Sequence, residues 1–231
     1  MTEFFDSHSH YQDEKFNEDR DEALKDAFNE NITKIIIPGW NLESSKQAID
    51  IANKFRFVYA AIGIHPSDAN EKEDLNKLYE LSQNKKVKAI GEIGLDYHYE
   101  NINKDLQKQY FINQIKIAND LNLPIIIHTR DAIYDTLEIV KNNKCKNTGV
   151  FHCCPHNVEL IKEALKIGYY ISFSGTVTFK NAKGAKEAVN MVPLDRLLIE
   201  TDSPYLAPEP YRGRRNNSIN VKLTARKGFR I

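Results

Sequence analysis

Val87-Lys88-Ala89-Ile90-Gly91-Glu92-Ile93, an amphipathic stretch over 103–122, and Ile125-Ile126-Ile127-His128 form the run that decides the fold. Two short apolar, β-branched runs bracket a segment in which Leu106, Tyr110, Ile112 or Gln114, Ile117 and Leu121 recur near one helical face, with Lys and Asn between them. A strand, a crossover of helical length and a second strand make a parallel βαβ unit.

The same rhythm extends in both directions. Further strand-like runs lie at Phe4–Asp6, Lys34–Ile37, Val58–Ile64, Val150–Phe151, Tyr169–Phe173 and Leu197–Ile199. Helical patterns fall near 19–30, 42–54, 71–82, 131–142, 156–167 and 182–191. Asn41 before Leu42-Glu43 signals the start of one helix, and Pro155 that of the sixth. Eight strands alternating with helices predict an α/β fold with a parallel sheet. An open doubly wound sheet and a closed barrel both fit that order. Eight repeats suit a (β/α)8 TIM barrel, at the short end of the usual ~250 residues.

No linker, internal repeat or low-complexity segment interrupts residues 1–231, which read as one domain. After Asp202 only 29 residues remain, and they include Pro204, Pro208, Pro210, Gly213 and Gly228. The expectation is a barrel lacking its last C-terminal helix, with apolar surface exposed on the first and eighth strands.

Composition narrows the function. Hydrophobic residues are 41% and charged residues 28%, values of a folded globular chain and not of a disordered one. Lys+Arg and Asp+Glu are both 32, so the chain as a whole is no basic nucleic-acid or membrane-surface binder. The charge is uneven: residues 205–231 hold seven basic residues and one acid, Glu209, three of the bases being Arg212, Arg214 and Arg215. Three cysteines, Cys145, Cys153 and Cys154, make no disulfide framework and suit a reducing compartment. The start has no basic n-region or apolar run of a signal peptide. No apolar stretch approaches the roughly 18–20 residues of a membrane span. A cytoplasmic address and no membrane partner are expected.

The chemistry gathers at strand ends. His8 and His10 follow the first strand, His65 ends the third, Glu92 lies in the fourth, and His128 and His152 end the fifth and sixth. Asp202 ends the eighth. In a parallel α/β fold those ends share one face, where the βα loops build the site. His8 and His10 are two apart and point to the same side of an extended strand. Both can ligate one ion, Glu92 can bridge two, and His128 and His152 can complete the second. Imidazole and carboxylate ligands suit divalent ions such as Zn, Mn or Mg, one or two per chain. Two such ions activate water and stabilise the oxygens of a phosphoryl displacement.

His65 before Pro66 is open to three readings: ligand, phosphate contact or turn histidine. His98 and His156 read as exposed or supporting, and Cys153 and Cys154 as packing residues, with a thiolate ligand as the alternative. Arg212, Arg214 and Arg215 read equally as a solvated tail or as phosphate contacts. The chain has no Gly-x-Ser-x-Gly elbow, phosphate-binding P-loop or dinucleotide fingerprint.

Six motifs occur in a familiar order: Asp6-Ser7-His8-Ser9-His10, Gly63-Ile64-His65-Pro66, Gly91-Glu92-Ile93-Gly94-Leu95-Asp96-Tyr97, Ile127-His128-Thr129-Arg130-Asp131-Ala132, Phe151-His152-Cys153 and Ile199-Glu200-Thr201-Asp202-Ser203-Pro204-Tyr205-Leu206. From about residue 4 to about 218 the chain resembles the TatD family of metal-dependent deoxyribonucleases, among the amidohydrolase-like TIM-barrel hydrolases. The resemblance implies a barrel with one or two divalent ions at its C-terminal face. It implies His8, His10, Glu92 and Asp202 around one ion, and Glu92, His128 and His152 around the other. By the same resemblance Asp202 accepts a proton from the attacking water, His65 sits near the scissile phosphate, and Arg212 and Arg214 belong to a basic loop that contacts substrate.

The activity so implied is 3′–5′ exonuclease cleavage of DNA, with single-stranded 3′ ends as partner, roles in DNA repair and breakdown, and a monomer as the expected state. Two features depart from the family pattern. Cys153-Cys154-Pro155-His156 replaces the usual Cys-Phe-Ser-Gly, and members usually continue beyond the position of Ile231. Two other functions stay open on sequence alone. One is a metal-dependent amide or ester hydrolase, such as an aminoacyl-tRNA deacylase. The other is a shortened, poorly active form.

Overall fold

The computed structural model describes residues 2–69 and 73–228. Eight parallel strands run in sequence order around a sheet: β1 (Phe4–Asp6), β2 (Ile32–Pro38), β3 (Val58–Ile62), β4 (Val87–Asp96), β5 (Ile125–Arg130), β6 (Gly149–Phe151), β7 (Tyr170–Phe173) and β8 (Leu197–Ile199). The helices are α1 (Arg20–Asn29), α2 (Leu42–Lys54), α3 (Lys77–Leu81), α4 (Lys104–Leu121), α5 (Ile133–Asn142), α6 (Val158–Lys166), α7 (Ala185–Met191) and α8 (Val221–Gly228). The architecture is the TIM barrel that the strand–helix alternation predicts.

The strands are apolar on both faces because both faces are covered. Inside the barrel, Ile36, Ala61, Ala89, Ile126, Val150, Tyr170 and Leu198 form one layer, a residue from each of β2 to β8. Their neighbours Ile35, Ile37, Ile62, Ile90, Ile127, Phe151 and Ile171 point outward into the larger core beneath the helices. Alternation of period two thus fills two cores from one sheet.

The sheet closes where β8 meets β1. Ser7 N–H donates to Ile199 O at 3.2 Å, Asp202 N–H to His8 O at 2.9 Å and His10 N–H to Ser203 O at 2.6 Å. The buried Asp6 carboxylate staples the seam: it accepts from Thr201 N (2.9 Å), Thr201 Oγ1 (2.6 Å) and Ser218 Oγ (2.6 Å).

The described residues end in the eight-residue helix α8, in keeping with a tail that leaves hardly any room for a full last helix. Its first residue, Val221, is fully buried. The expected exposure beside it remains in part: an apolar cleft of about 290 Å³ is lined by Phe4, Phe5, Leu197, Leu198, Ile199 and Ala225. Some boundaries depart from the sequence reading. Asn157, not Pro155, caps α6, accepting from Leu160 N. The helix expected over 71–82 is the five-residue α3, and part of that range lies outside the described residues. Asn41 caps α2 as predicted, in a reciprocal pair with Ser44. The described residues contain no helix long and apolar enough to cross a membrane.

Candidate metal centre

β1 is too short to carry its histidines: the extended segment after Asp6 places His8 and His10 at the mouth, with His8 wholly buried. Glu92 sits mid-strand in β4, where the register against β5 shifts between Ile90 and Ile93. Such an irregularity re-aims a side chain. Gly94, at φ 143°, lets β4 pass against β5, since a Cβ there would stand 2.0 Å from His128 O. Asp202 leaves β8 in the left-handed region, φ 55°, a conformation that Asp and Asn adopt more readily than other non-glycine residues and that nearby bonds fix. Its N–H bond to His8 O and the Tyr205 N–H bond to its own carbonyl, 2.9 Å each, do so here.

Glu92 is the hub. Its Oε2 lies 3.1 Å from His8 Nε2 and 3.8 Å from His10 Nε2. Its Oε1 lies 2.8 Å from both His128 Nδ1 and His152 Nε2. One carboxylate oxygen therefore faces each histidine pair. Asp202 Oδ1 joins the first pair, 3.4 Å from His10 Nε2 and 3.7 Å from His8 Nε2. The His8 and His152 rings stack 3.9 Å apart, linking the two halves.

The far nitrogens of these rings set the tautomers, because carbonyls and carboxylates only accept. His10 Nδ1 faces Pro38 O at 3.3 Å, His128 Nε2 faces Asp96 Oδ2 at 3.1 Å, and His152 Nδ1 faces Glu200 Oε1 at 3.3 Å. In the neutral ring a donating far nitrogen leaves the inward nitrogen with a lone pair for a cation, the arrangement that metal-binding histidines require. His8 Nδ1 is buried with no hydrogen-bond partner, and its Nε2 points inward. The donor set fits divalent cations: His8, His10 and Glu92 form one compact group, and Glu92, His128 and His152 another.

His65 differs. Ser67 N–H donates to its Nδ1 at 3.1 Å, so in the neutral ring the hydrogen sits on Nε2, which faces Glu92 Oε1 at 3.5 Å. Burial, and next the charge of His128, push His65 down to about 3. In that neutral ring the Nε2–H is a hydrogen-bond donor directed into the mouth.

The electrostatics follow from crowding. Burial works to raise Glu92, but the imidazoles of His152, His8 and His65 outweigh it and hold the carboxyl well below the usual range. Asp202 is likewise held low against burial by the His10 hydrogen bond and the His8 and His10 charges. Burial and the His152 charge lower His8. Burial opposes protonation of His152 too, yet Glu92 and Glu200 raise it well above the ordinary value.

The residues singled out from sequence therefore come together, and the remainder are also placed. Arg212 and Arg214 are exposed on the loop after β8, whereas Arg215 is paired with Asp19. His98 is exposed and pairs with Asp131 at 2.9 Å. Cys153 Sγ meets Ser174 Oγ at 3.2 Å, Cys154 is buried, and both are free thiols. Sequence reasoning assigned no role to Asp96, Glu200 or Asp6, although all three lie within the quoted motifs. Their signal was adjacency: each is two to four residues from a ligand candidate in sequence.

A sequence profile described as "TatD related DNase" matches residues 5–230. The chain belongs to the TatD family. It is 45% identical over 224 residues to "Uncharacterized metal-dependent hydrolase YabD" of Bacillus subtilis, covering 96% of this chain and 88% of that protein. It is 40% identical to "Uncharacterized metal-dependent hydrolase YcfH" of Escherichia coli K12, covering 95% and 84%. Among solved structures it resembles YJJV, a TatD homologue from Escherichia coli K12, with a TM-score of 0.88, 28% identity and coverage of 96% and 88%. A TatD family hydrolase from Entamoeba histolytica gives a TM-score of 0.85 at 26% identity, with coverage of 97% and 89%. The TatD chain described here is a metal-dependent hydrolase.

Proposed function

We propose that this TatD protein is a deoxyribonuclease that removes nucleotides from the 3′ ends of single-stranded DNA. The observation that carries the reading is Glu92, with one oxygen turned to each histidine pair, 3.1 Å from His8 and 2.8 Å from His128 and His152. A bridging carboxylate between two donor pairs suits the two-ion displacement of phosphodiesters. His8, His10 and Asp202 with Glu92 would hold one cation, and His128 and His152 with Glu92 the other. Magnesium, manganese or zinc would supply an activated water and charge stabilisation on the phosphate oxygens.

The chain's own groups do the rest. Asp202, ionised because its pKa is held low, accepts the proton of the attacking water. His65 directs its Nε2–H to a non-bridging phosphate oxygen and so orients the scissile group. Arg212 and Arg214, exposed and unpaired with any carboxylate among the described residues, supply positive charge where the rest of the strand leaves the mouth. That local charge reconciles a neutral chain with a polyanionic substrate.

The test compares substrates on one Mn²⁺-loaded preparation. Nucleotide release from 3′-labelled single-stranded DNA, abolished by Glu92→Gln, is the expected result. Hydrolysis of an aminoacyl ester with the DNA untouched, or nucleotide release that survives Glu92→Gln, would overturn the reading.

A further inference from the structure

Five large apolar or aromatic side chains stand exposed among the described residues: Tyr99, Tyr134, Leu194, Tyr205 and Tyr211. Four are tyrosines, and all four lie on segments that follow strand C-termini, at the face holding the metal centre. Tyr99 follows β4, Tyr134 opens α5 after β5, and Tyr205 and Tyr211 follow β8. Exposed aromatics concentrated at the mouth of a hydrolase site point to something flat that lies on them.

The two sides of the mouth differ in charge. Tyr99 and Tyr134 stand among two exposed acids, Glu100 and Asp131, and two cations, Arg130 over the Tyr99 ring at 5.6 Å and Lys104 over the Tyr97 ring at 4.4 Å, so this side is balanced. On the β8 side, Arg214 lies 5.9 Å from the Tyr211 ring and Arg212 lies 4.3 Å from the Phe179 ring. Phe179 is half-buried and comes from the loop after β7, with the exposed Lys180 next to it. Glu209 is the nearby acid in sequence.

This side is also held in place. Asn216 Nδ2 donates to Thr201 O and Tyr205 O, at 2.9 and 2.8 Å, closing the base of the loop onto the strand that carries Asp202. Glu209 N–H donates to Thr178 Oγ1 at 2.8 Å, which ties the loop to the segment preceding Phe179. Arg215 is bound to Asp19 and to Lys15 O, leaving the other two arginines to face solvent.

We propose that Tyr211 and Phe179 are a stacking platform for the bases of a single strand, with Arg212 and Arg214 against its phosphates. The strand then leaves the metal centre over the loop after β8, not over the loops after β4 and β5. The proposal rests on the DNA reading above and adds where the strand lies and why it must be single: a paired duplex has no free base faces to offer these rings. Aromatic platforms interleaved with cations hold single strands in this way without sequence preference.

The experiment is fluorescence anisotropy of a 5′-labelled 12-nucleotide single strand, and of the same strand in a duplex, with the full chain in chelator so that the strand stays intact. The single strand should bind more tightly than the duplex. Tyr211→Leu, which keeps an exposed apolar side chain but no ring, should weaken it about tenfold, within the range of one base–aromatic stack. Phe179→Tyr keeps a ring and should retain binding. Tyr134→Leu, on the charge-balanced side after β5, should match the parent.

Equal binding of duplex and single strand, no loss with Tyr211→Leu, or an equal loss with Tyr134→Leu would each overturn the platform. The Mn²⁺-loaded chain separates this from the broader reading. Nucleotide release with an unchanged KM in Tyr211→Leu sinks the platform and leaves the nuclease standing. Ring-dependent binding with no nucleotide release from the parent sinks the nuclease reading alone.

Discussion

Replacing Asp6 by alanine removes the staple across the seam where β8 meets β1. The carboxylate is fully buried and accepts from Thr201 N at 2.9 Å and from the hydroxyls of Thr201 and Ser218, both at 2.6 Å. Alanine leaves the Thr201 amide and both hydroxyls facing a space with no acceptor. Each stranded donor costs about 1–3 kcal/mol, though a hydroxyl can rotate to soften the loss. Against this stands the relief of a buried acid, since burial pushes Asp6 up to about 7. A net loss of about 3 kcal/mol follows from three donors at the low end of that range. For a chain of this size it lowers the melting midpoint by roughly 6–12 °C.

Asp6→Asn keeps an oxygen for the Thr201 amide and should lose only about 2–4 °C, the equivalent of one neutral hydrogen bond. Circular-dichroism melts of the three chains measure this directly. Thr201 adjoins Asp202, so Asp6→Ala should also shrink the upward shift that Mn²⁺ produces. An Asp6→Ala chain melting within 2 °C of the parent, or an Asp6→Asn chain falling as far as alanine, would refute the reasoning.

Three further outcomes follow from the site and its supports. Glu200→Gln removes the charged acceptor behind His152 Nδ1; metal affinity, read by calorimetric Mn²⁺ titration, should fall about 10- to 100-fold, as for other carboxylates behind metal-bound histidines. Asp202→Asn should lower kcat on single-stranded DNA by at least about 100-fold, the lower end of a general-base contribution, while Tm in chelator changes little. Arg215 holds the Asp19 carboxyl below its ordinary value. A depressed folded pKa stabilises above the unfolded value near 3.8 and is lost as pH falls through the folded one. The melting difference between the parent and Arg215→Ala should therefore be present at pH 7, at about 1 kcal/mol or less for a partly exposed pair, and shrink towards pH 3.

Much of the site was legible because strand ends and site coincide. Once Val87–Ile93 and Ile125–Ile127 read as parallel strands, His128 and Glu92 had to approach the same face, and His8, His10, His152 and Asp202 followed from their own strands. The supporting carboxylates were not legible in the same way. Nothing in the spacing of Asp96 or Glu200 says that their side chains reach behind a histidine of a neighbouring strand, since that depends on sheet register and closure. His65 shows the same limit: His-Pro at a strand end left three roles open, and the Ser67 N–H bond to Nδ1, which puts the neutral ring's hydrogen on Nε2, depends on the turn that follows. The tail was legible only in outline: Pro204, Pro208, Pro210 and Gly213 fall before Asn217, in a loop that Asn216 pins to Thr201 and Tyr205, and the eight residues that follow Asn220 form the short α8.

The central claim is that Glu92 joins two histidine pairs into one metal centre. Melting the 231-residue chain in chelator and then in Mn²⁺ at 100 times its dissociation constant tests it directly. Binding to the folded state alone contributes about 2.7 kcal/mol at that ratio, a rise of roughly 5–11 °C. The account predicts that rise in the parent and little or none in Glu92→Gln. Equal rises in the two chains, or no rise in the parent, would contradict it.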